Sequence, residues 1–311
     1  MTNRLEQLNG TVLLLFAVAA TSINVPLMMF LLRNTAARED IVSMVMLSVV
    51  ASDLCTATGF FCLSVVNFMQ PVVVPYPLIF LLGNLMNLSI NITIWHLAVM
   101  SAMKCYIIVR PLIYSTVFTE RFRNLALAAL WTVGIVVLLG ANLGGVTWAI
   151  DPILHVVGAV GPVKDRLRNI DTAAFGASAL VVIVSNLKII FVVRQHHLSI
   201  GTTNAVVGED QRGSVQVWLA SVRSARSLLV MTVIYFGTYM PTTLRNRGDF
   251  VLPLWGSIGT VWLLAFAPVG NGLVYIVLYK TTRRDLVKML FGGWVSQTET
   301  VVNTISTPAG N

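Results

Sequence analysis

The sequence predicts an all-α membrane protein, a seven-transmembrane helix bundle with a short amphipathic helix on the cytoplasmic side after the last span. Three observations carry this. The 311-residue chain is 56% apolar and only 11% charged, with a mean hydropathy of +0.79, too little charge to coat a water-soluble globule. Apolar segments of membrane-crossing length recur along the whole chain, with no polar stretch of domain size between them. The basic residues gather on alternate connections, as they do in a chain threaded back and forth through a bilayer.

A crossing takes about 20 apolar residues, because a helix rises ~1.5 Å per residue and the hydrocarbon core is ~30 Å thick. Residues 1–10 read as a short extracellular arm. Residues 11–32, 77–103, 125–150 and 250–279 contain no Asp, Glu, Lys or Arg and supply the first, third, fourth and seventh spans. The second, 41–67, contains one charge, Asp53, and the fifth, 172–193, carries only Lys188 near one end, where its stem can reach the headgroups. The sixth, 227–244, is uncharged but short, with Arg223 and Arg226 continuing the helix into water. Between the fifth and sixth, Gln195 to Val222 holds Gly201, Gly208 and Gly213 and a Glu209-Asp210-Gln211-Arg212 run, and reads as a flexible loop. In 280–292, Leu286, Met289 and Leu290 recur at helical spacing opposite Arg283, Arg284 and Lys288, which suits a helix lying on the inner leaflet. Residues 293–311 read as a disordered cytoplasmic tail rich in hydroxyls, including Ser296, Thr298, Thr300 and Ser306.

Charge placement gives the orientation. Arg33, Arg38, Lys104, Arg110, Arg121, Arg123 and the basic residues from Lys188 to Arg226 and Lys280 to Lys288 fall on one side. The other side holds only Arg4, Lys164, Arg166, Arg168, Arg245 and Arg247. The excess marks the cytoplasmic face, so the N-terminus is expected outside and the C-terminus inside. The sequon Asn9-Gly10-Thr11 agrees, making Asn9 a candidate glycosylation site, whereas the sequons at Asn87 and Asn91 lie inside an apolar span and are chance. The first apolar segment has no basic flank before it and is expected to act as a signal anchor rather than a cleaved peptide. The three cysteines, Cys55, Cys62 and Cys105, fall within or at the ends of apolar segments and form no disulfide framework.

Residues inside the spans narrow the class. Leu47-Ser48-Val49-Val50-Ala51-Ser52-Asp53-Leu54 resembles the second-helix signature of rhodopsin-like G-protein-coupled receptors, whose carboxylate is the polar centre of the bundle. Met103-Lys104-Cys105, followed by Arg110-Pro111-Leu112 and Tyr114, is similar to that family's Asp-Arg-Tyr triplet with its later Pro-Leu and aromatic. Trp131 stands at the fourth-helix Trp. Tyr235, Thr238, Tyr239 and Pro241 match the spacing of the sixth-helix Phe-x-x-Cys-Trp-x-Pro, Asn271-Gly272-Leu273-Val274-Tyr275 matches Asn-Pro-x-x-Tyr, and Asn24 takes the first-helix Asn. The matches occur in the family's order and run from Asn24 to Lys288, nearly the whole chain. A charged group at membrane depth costs several kcal/mol, which independently favours a functional role for Asp53.

The departures have physical consequences. With Met103 in place of the acid beside Lys104, the family's resting ion pair cannot form, and an ammonium has replaced a planar guanidinium fork. The fifth-helix Pro and Tyr positions hold Ser178 and Asn186, and Gly272 replaces the seventh-helix Pro. The usual disulfide to the second extracellular loop is missing: Ile79 stands at its third-helix position and Asp151 to Ile170 contains no Cys. That loop is expected either to be held by packing or to be mobile.

The resemblance also implies site residues. A ligand cavity is expected among Met86, Asn87, Asn91, Tyr239, Thr242, Thr243 and Trp262, although polar residues of this kind equally serve as interhelical hydrogen bonds. Met86 occupies the position where amine receptors carry their ammonium-binding Asp, which disfavours biogenic amines. Ala265 occupies the retinal-bearing Lys position, which excludes a retinal chromophore, and no cofactor is expected. Lys164, Arg166 and Arg168 with Arg245 and Arg247 could attract an acidic ligand, but Asp165, Asp171 and Asp249 among them favour a solvated loop. Asn24, Asp53, Thr93 and Asn271 are expected to form a central polar network holding water or sodium. Lys104, Arg110, Pro111, Asn186 and Tyr275 are the expected coupling residues, facing a heterotrimeric G protein, with arrestin as a partner if the tail is phosphorylated. His96, beside Trp95 in an apolar span, reads as a packed residue rather than a metal ligand.

The implied role is a plasma-membrane receptor passing an extracellular ligand signal to G proteins, with atypical activation motifs. A non-signalling seven-span decoy or dimerisation partner explains the eroded motifs as well. A small transporter fits less, given the odd number of spans and the lack of repeated halves. No nucleophile and base at spacing, metal cluster or phosphate loop is present in the sequence, so an enzyme is not expected.

Overall fold

Apolar segments in lipid must close their own backbone hydrogen bonds, and long helices are the way an uncovered segment does so. The computed structural model describes residues 2–34, 41–69, 74–151, 156–202, 229–230, 232–245, 252–278 and 282–290. In chain order the elements are α1 (Thr2–Arg33), α2 (Ile41–Met69), α3 (Tyr76–Val109), α4 (Pro111–Val117), α5 (Glu120–Leu143), β1 (Thr147–Ile150), β2 (Val157–Val160) and α6 (Lys164–Thr202). They are followed by α7 (232–245), α8 (Leu254–Leu278) and α9 (282–290). Among the described residues, six helices are long and apolar enough to cross a membrane. The described part of the expected sixth span, α7, is shorter than a full crossing. The chain is a multi-pass membrane protein.

Several element boundaries depart from the sequence reading. Residues 2–10, expected as an arm, are the first turns of α1. Thr147–Ile150, expected as the end of the fourth span, is strand β1, because Gly144 caps α5 and Gly145 turns the chain at φ 92°, a conformation that suits only a residue without Cβ. β1 and β2 pair antiparallel, Thr147 opposite Val160 and Ile150 opposite Val157. α6 begins at Lys164 and continues to Thr202, absorbing the start of the loop expected from Gln195. The rest of that loop and the tail 293–311 lie outside the described residues. α3 runs past Met103 to Val109, and Arg110 leaves the helix at φ −139°, as a residue preceding proline is pushed to do.

α3 is the central helix, packed against α2, α4, α5, α6 and both strands, while α1 packs on α2 and α8. The largest core cluster joins Leu27, Val50, Met100, Tyr235 and Tyr275 from α1, α2, α3, α7 and α8. Outward faces are apolar too: Leu125 is 71% exposed, Leu143 90% and Leu187 61%. In water such a surface would be unfavourable, and against acyl chains it is ordinary.

The hairpin β1–β2 is fastened to the bundle by packing. Trp148 is buried in a cluster with Leu138, Val146 and Leu167, against which Ile79 and Phe80 also pack. The indole lies so close to Gly83 that a Cβ there would collide with it. Apolar contact at Ile79 thus stands where a disulfide was missing, and the described part of the loop is held by packing.

Candidate functional site

Beneath the hairpin lies a cavity of ≈ 370 Å³ bounded by α2, α3, α6, α7 and α8. Met86, Asn87, Asn91, Tyr239, Thr242 and Thr243 line it. The hydroxyls of Thr242 and Thr243 donate to the carbonyls of Thr260 and Tyr239 at 3.0 Å, so they hold the wall together. The Tyr239 hydroxyl is buried without a hydrogen-bond partner among the described residues. Trp262 is not part of the wall. Its Nε1 donates to Asn9 Oδ1 at 2.9 Å, tying α8 to the start of α1. The same bond corrects the glycosylation expectation, since Asn9 is 2% exposed inside a helix–helix contact and a glycan acceptor must be accessible.

The cavity also contains groups that the sequence placed elsewhere. Asp171, Asp151, Arg168 and Arg245 line it together with Phe175 and Trp148. Asp171, read from the sequence as one of several solvated loop charges, projects from α6 toward α3. Its Oδ2 accepts from Asn87 Nδ2 at 3.1 Å and its Oδ1 from Asn91 Nδ2 at 3.2 Å. A periodicity signal existed for this: Ser178, Val182, Ser185 and Ile189 are the inward face of α6, and stepping back along that face by helical turns reaches Phe175 and Asp171. Arg245 donates to the Ser257 carbonyl at 3.2 Å and the Thr260 hydroxyl at 3.0 Å. Burial pulls its guanidinium below the usual range and the charge of Asp151 opposes that shift.

Deeper in the bundle, Asp53 is 1% exposed. Its carboxylate accepts from Asn271 Nδ2 at 3.2 and 3.4 Å and from the Thr93 hydroxyl at 3.3 Å. Ser52 shares a 2.7 Å hydrogen bond with Thr93, and Thr56 donates to Ser89 at 2.9 Å, extending the polar seam between α2 and α3. Ser52, Thr56 and Ser89 carry no distinctive sequence signal for this role, and of the hydroxyls in the seam the sequence pointed only to Thr93. Asn24 joins differently from the expected network. Its Nδ2 donates to the carbonyls of Ala20 and Pro268, at 2.9 and 3.1 Å, linking α1 to α8 rather than to Asp53. Ile94, which lines the cavity, directly follows Thr93 of this seam along α3.

Toward the other end, Lys104 is 3% exposed, and Met103 is buried in the main apolar cluster. Tyr275 donates to Met100 Sδ at 3.5 Å, one turn before Lys104, and Asn186 Nδ2 donates to Thr232 Oγ1 at 3.3 Å, bridging α6 and α7. Arg110 is exposed at the end of α3, and Pro111 opens α4. Trp131 donates to Ser48 Oγ at 2.9 Å, pinning α5 to α2. His96 is wholly buried, with Nδ1 hydrogen-bonded to the Ile92 carbonyl at 2.7 Å, the packed role expected of it.

No family model matches this chain. It is 22% identical over 210 residues to trace amine-associated receptor 8 of Homo sapiens, covering 64% of this chain and 61% of that receptor. To trace amine-associated receptor 6 of Rattus norvegicus it is 22% identical over 228 residues, covering 69% and 65%. The matched region thus spans less than two thirds of these relatives' length. The structure is similar to the crystal structure of squid rhodopsin with a TM-score of 0.81 at 14% identity, covering 99% of this chain and 94% of that one. The bundle therefore has the seven-helix rhodopsin fold.

Proposed function

We infer that this chain, a divergent relative of the rhodopsin-like receptors it resembles in sequence and fold, transmits an extracellular ligand signal to a heterotrimeric G protein. One observation supports this most. The cavity wall runs along α3 to Ile94, next to Thr93 of the buried seam with Asp53 and Asn271, and the same helices α3 and α8 continue to Lys104 and Tyr275 at the far end. A ligand that favours one packing of α7 and α8 over another would shift the arrangement at both ends of those helices; without such differential affinity nothing is transmitted. In this reading the N-terminus is extracellular, the protein sits in the plasma membrane, and the Asp53 seam holds water or sodium. The ligand contacts are Met86, Asn87, Asn91, Tyr239, Thr242 and Thr243, and coupling uses Lys104, Arg110, Pro111, Asn186 and Tyr275. Retinal is not the ligand, since α8 contains no Lys and Ala265 is packed in an apolar cluster.

The test is recruitment of several G-protein reporters, and of arrestin, by protein whose surface expression is verified. Recruitment of at least one G protein is expected. The double variant Met103→Asp, Lys104→Arg restores the family's acid and guanidinium and is expected to lower basal output or restore a ligand response. Failure of both proteins to recruit any partner under any stimulus would leave the non-signalling seven-span reading in its place.

A further inference from the structure

Two buried hydrogen-bond donors in the cavity wall have nothing to donate to. The Tyr239 hydroxyl and the Trp148 indole N–H are each without a partner among the described residues. Their side chains are 3% and 5% exposed, and both line the cavity. Neither atom is open to water, so each leaves a desolvation cost unmet until an acceptor arrives. The charges around them already cancel: Asp151, Asp165 and Asp171 line the same cavity as Lys164, Arg168 and Arg245. Lys164, Arg168 and Asp171 follow one another at helical spacing on one side of α6. Arg168 pairs with Asp165 at 2.8 Å, the charge of Asp151 bears on Arg245, and Asp171 is held by the Asn87 and Asn91 amides. An ion entering would exchange its hydration for surroundings of no net charge. The rest of the wall is largely apolar, with Phe60, Met86, Ile90, Phe175 and Leu264.

We propose that the cavity takes an uncharged ligand, an apolar or aromatic body carrying a carbonyl or hydroxyl oxygen that accepts from Tyr239, with Trp148 as a second donor. A small turn of the phenol toward the cavity presents its hydroxyl to that oxygen. A site whose buried donor has no other acceptor discriminates strongly against the analogue that lacks the oxygen. The cancelled charges give neither an amine nor a carboxylate analogue an advantage, and the apolar Met86 in α3 agrees with a ligand of no charge. This deepens the receptor reading and rests on it for what binding achieves, while binding itself can be measured alone.

The full chain in lipid nanodiscs is titrated with 2-phenylethanol, tryptophol and benzylacetone. Each is paired with the amine, the carboxylate and the hydrocarbon of matching skeleton. At least one neutral oxygenated probe is expected to raise the Tm, with its three counterparts producing no comparable shift. Tyr239→Phe is expected to weaken that probe by about fivefold, equivalent to ~1 kcal/mol. The same variant should leave the Tm of the unliganded chain unchanged or higher, because it removes a buried hydroxyl that has no partner; a hydroxyl that held the fold together would lower the Tm when lost. Any shift that a probe causes through the lipid is common to both chains and cancels in their comparison. No neutral probe shifting the Tm, a counterpart matching its neutral probe, unchanged affinity in Tyr239→Phe, or a lower unliganded Tm in that variant would each overturn the proposal. Binding of a neutral probe without G-protein recruitment would refute the receptor reading and leave the site. Recruitment without such binding would do the reverse.

Discussion

Asp53 takes one hydrogen bond from Thr93 and two from the Asn271 amide while nearly excluded from solvent, so its removal strands donors as well as opening space. Asp53→Ala is expected to lower stability by about 1–3 kcal/mol, read as a lower Tm in nanodiscs. Asp53→Asn should cost less, because its side-chain oxygen can still accept from Asn271; equal Tm for the Ala variant and the parent would show that the seam is not structural. Asp53 was legible in the sequence because it is the one acid in a long apolar run. Asp171 was not, because Lys164, Arg166 and Arg168 precede it in a segment that reads as loop. Only the continuation of α6 back to Lys164 turns its side chain inward. Trp262 failed in the opposite sense: its position suggested the cavity, but its indole N–H found Asn9.

Among the elements, two glycines set how closely neighbours approach. At Gly83 a Cβ would enter the Trp148 indole, and at Gly272 it would fall 2.5 Å from Ile23 Cγ2 and 2.9 Å from Asn24 Oδ1. Gly83→Ala is expected to loosen the hairpin, seen as faster proteolysis within 147–160 and a stability loss of about 1–3 kcal/mol; unchanged cleavage would show that Trp148 is not its fastener. Gly272→Pro would restore the family's residue at that position yet should also destabilise, since the ring meets α1; a higher Tm would refute that packing. The sequence showed Gly272 only as a lost proline. That the same position lets α1 sit against α8 depends on which helices are neighbours, which no local pattern encodes. The end of the fourth span was misplaced for a related reason: Thr147–Ile150 is uncharged enough to pass as helix, and pairing with 157–160 makes it strand.

For the whole molecule, the apolar outer faces of α5 and α6 suit a lipid solvent, and the basic connections favour a cytoplasmic C-terminus. An epitope after residue 311 should be stained only in permeabilised cells, and one before Met1 in intact cells; the reverse pattern would invert the topology. Asn9→Gln should leave the electrophoretic mobility unchanged before and after glycosidase, because Asn9 is buried against Trp262. A shift lost in that variant would mean the contact opens during synthesis.

The sequence by itself determined that this chain crosses a membrane repeatedly, which end faces the cytosol as an expectation, and the family its motifs resemble. These follow from hydropathy, charge placement and residue order, all properties readable along a line. Tertiary structure decided the contents of the cavity and the means of holding the hairpin over it. Asp171 meets Asn87 and Asn91 across about 80 residues of chain, and Trp148 seats on Gly83 across two elements. Contacts of that separation are set by which helices pack together and how each is rotated, information that is shared among all the helices and carried by none of them alone.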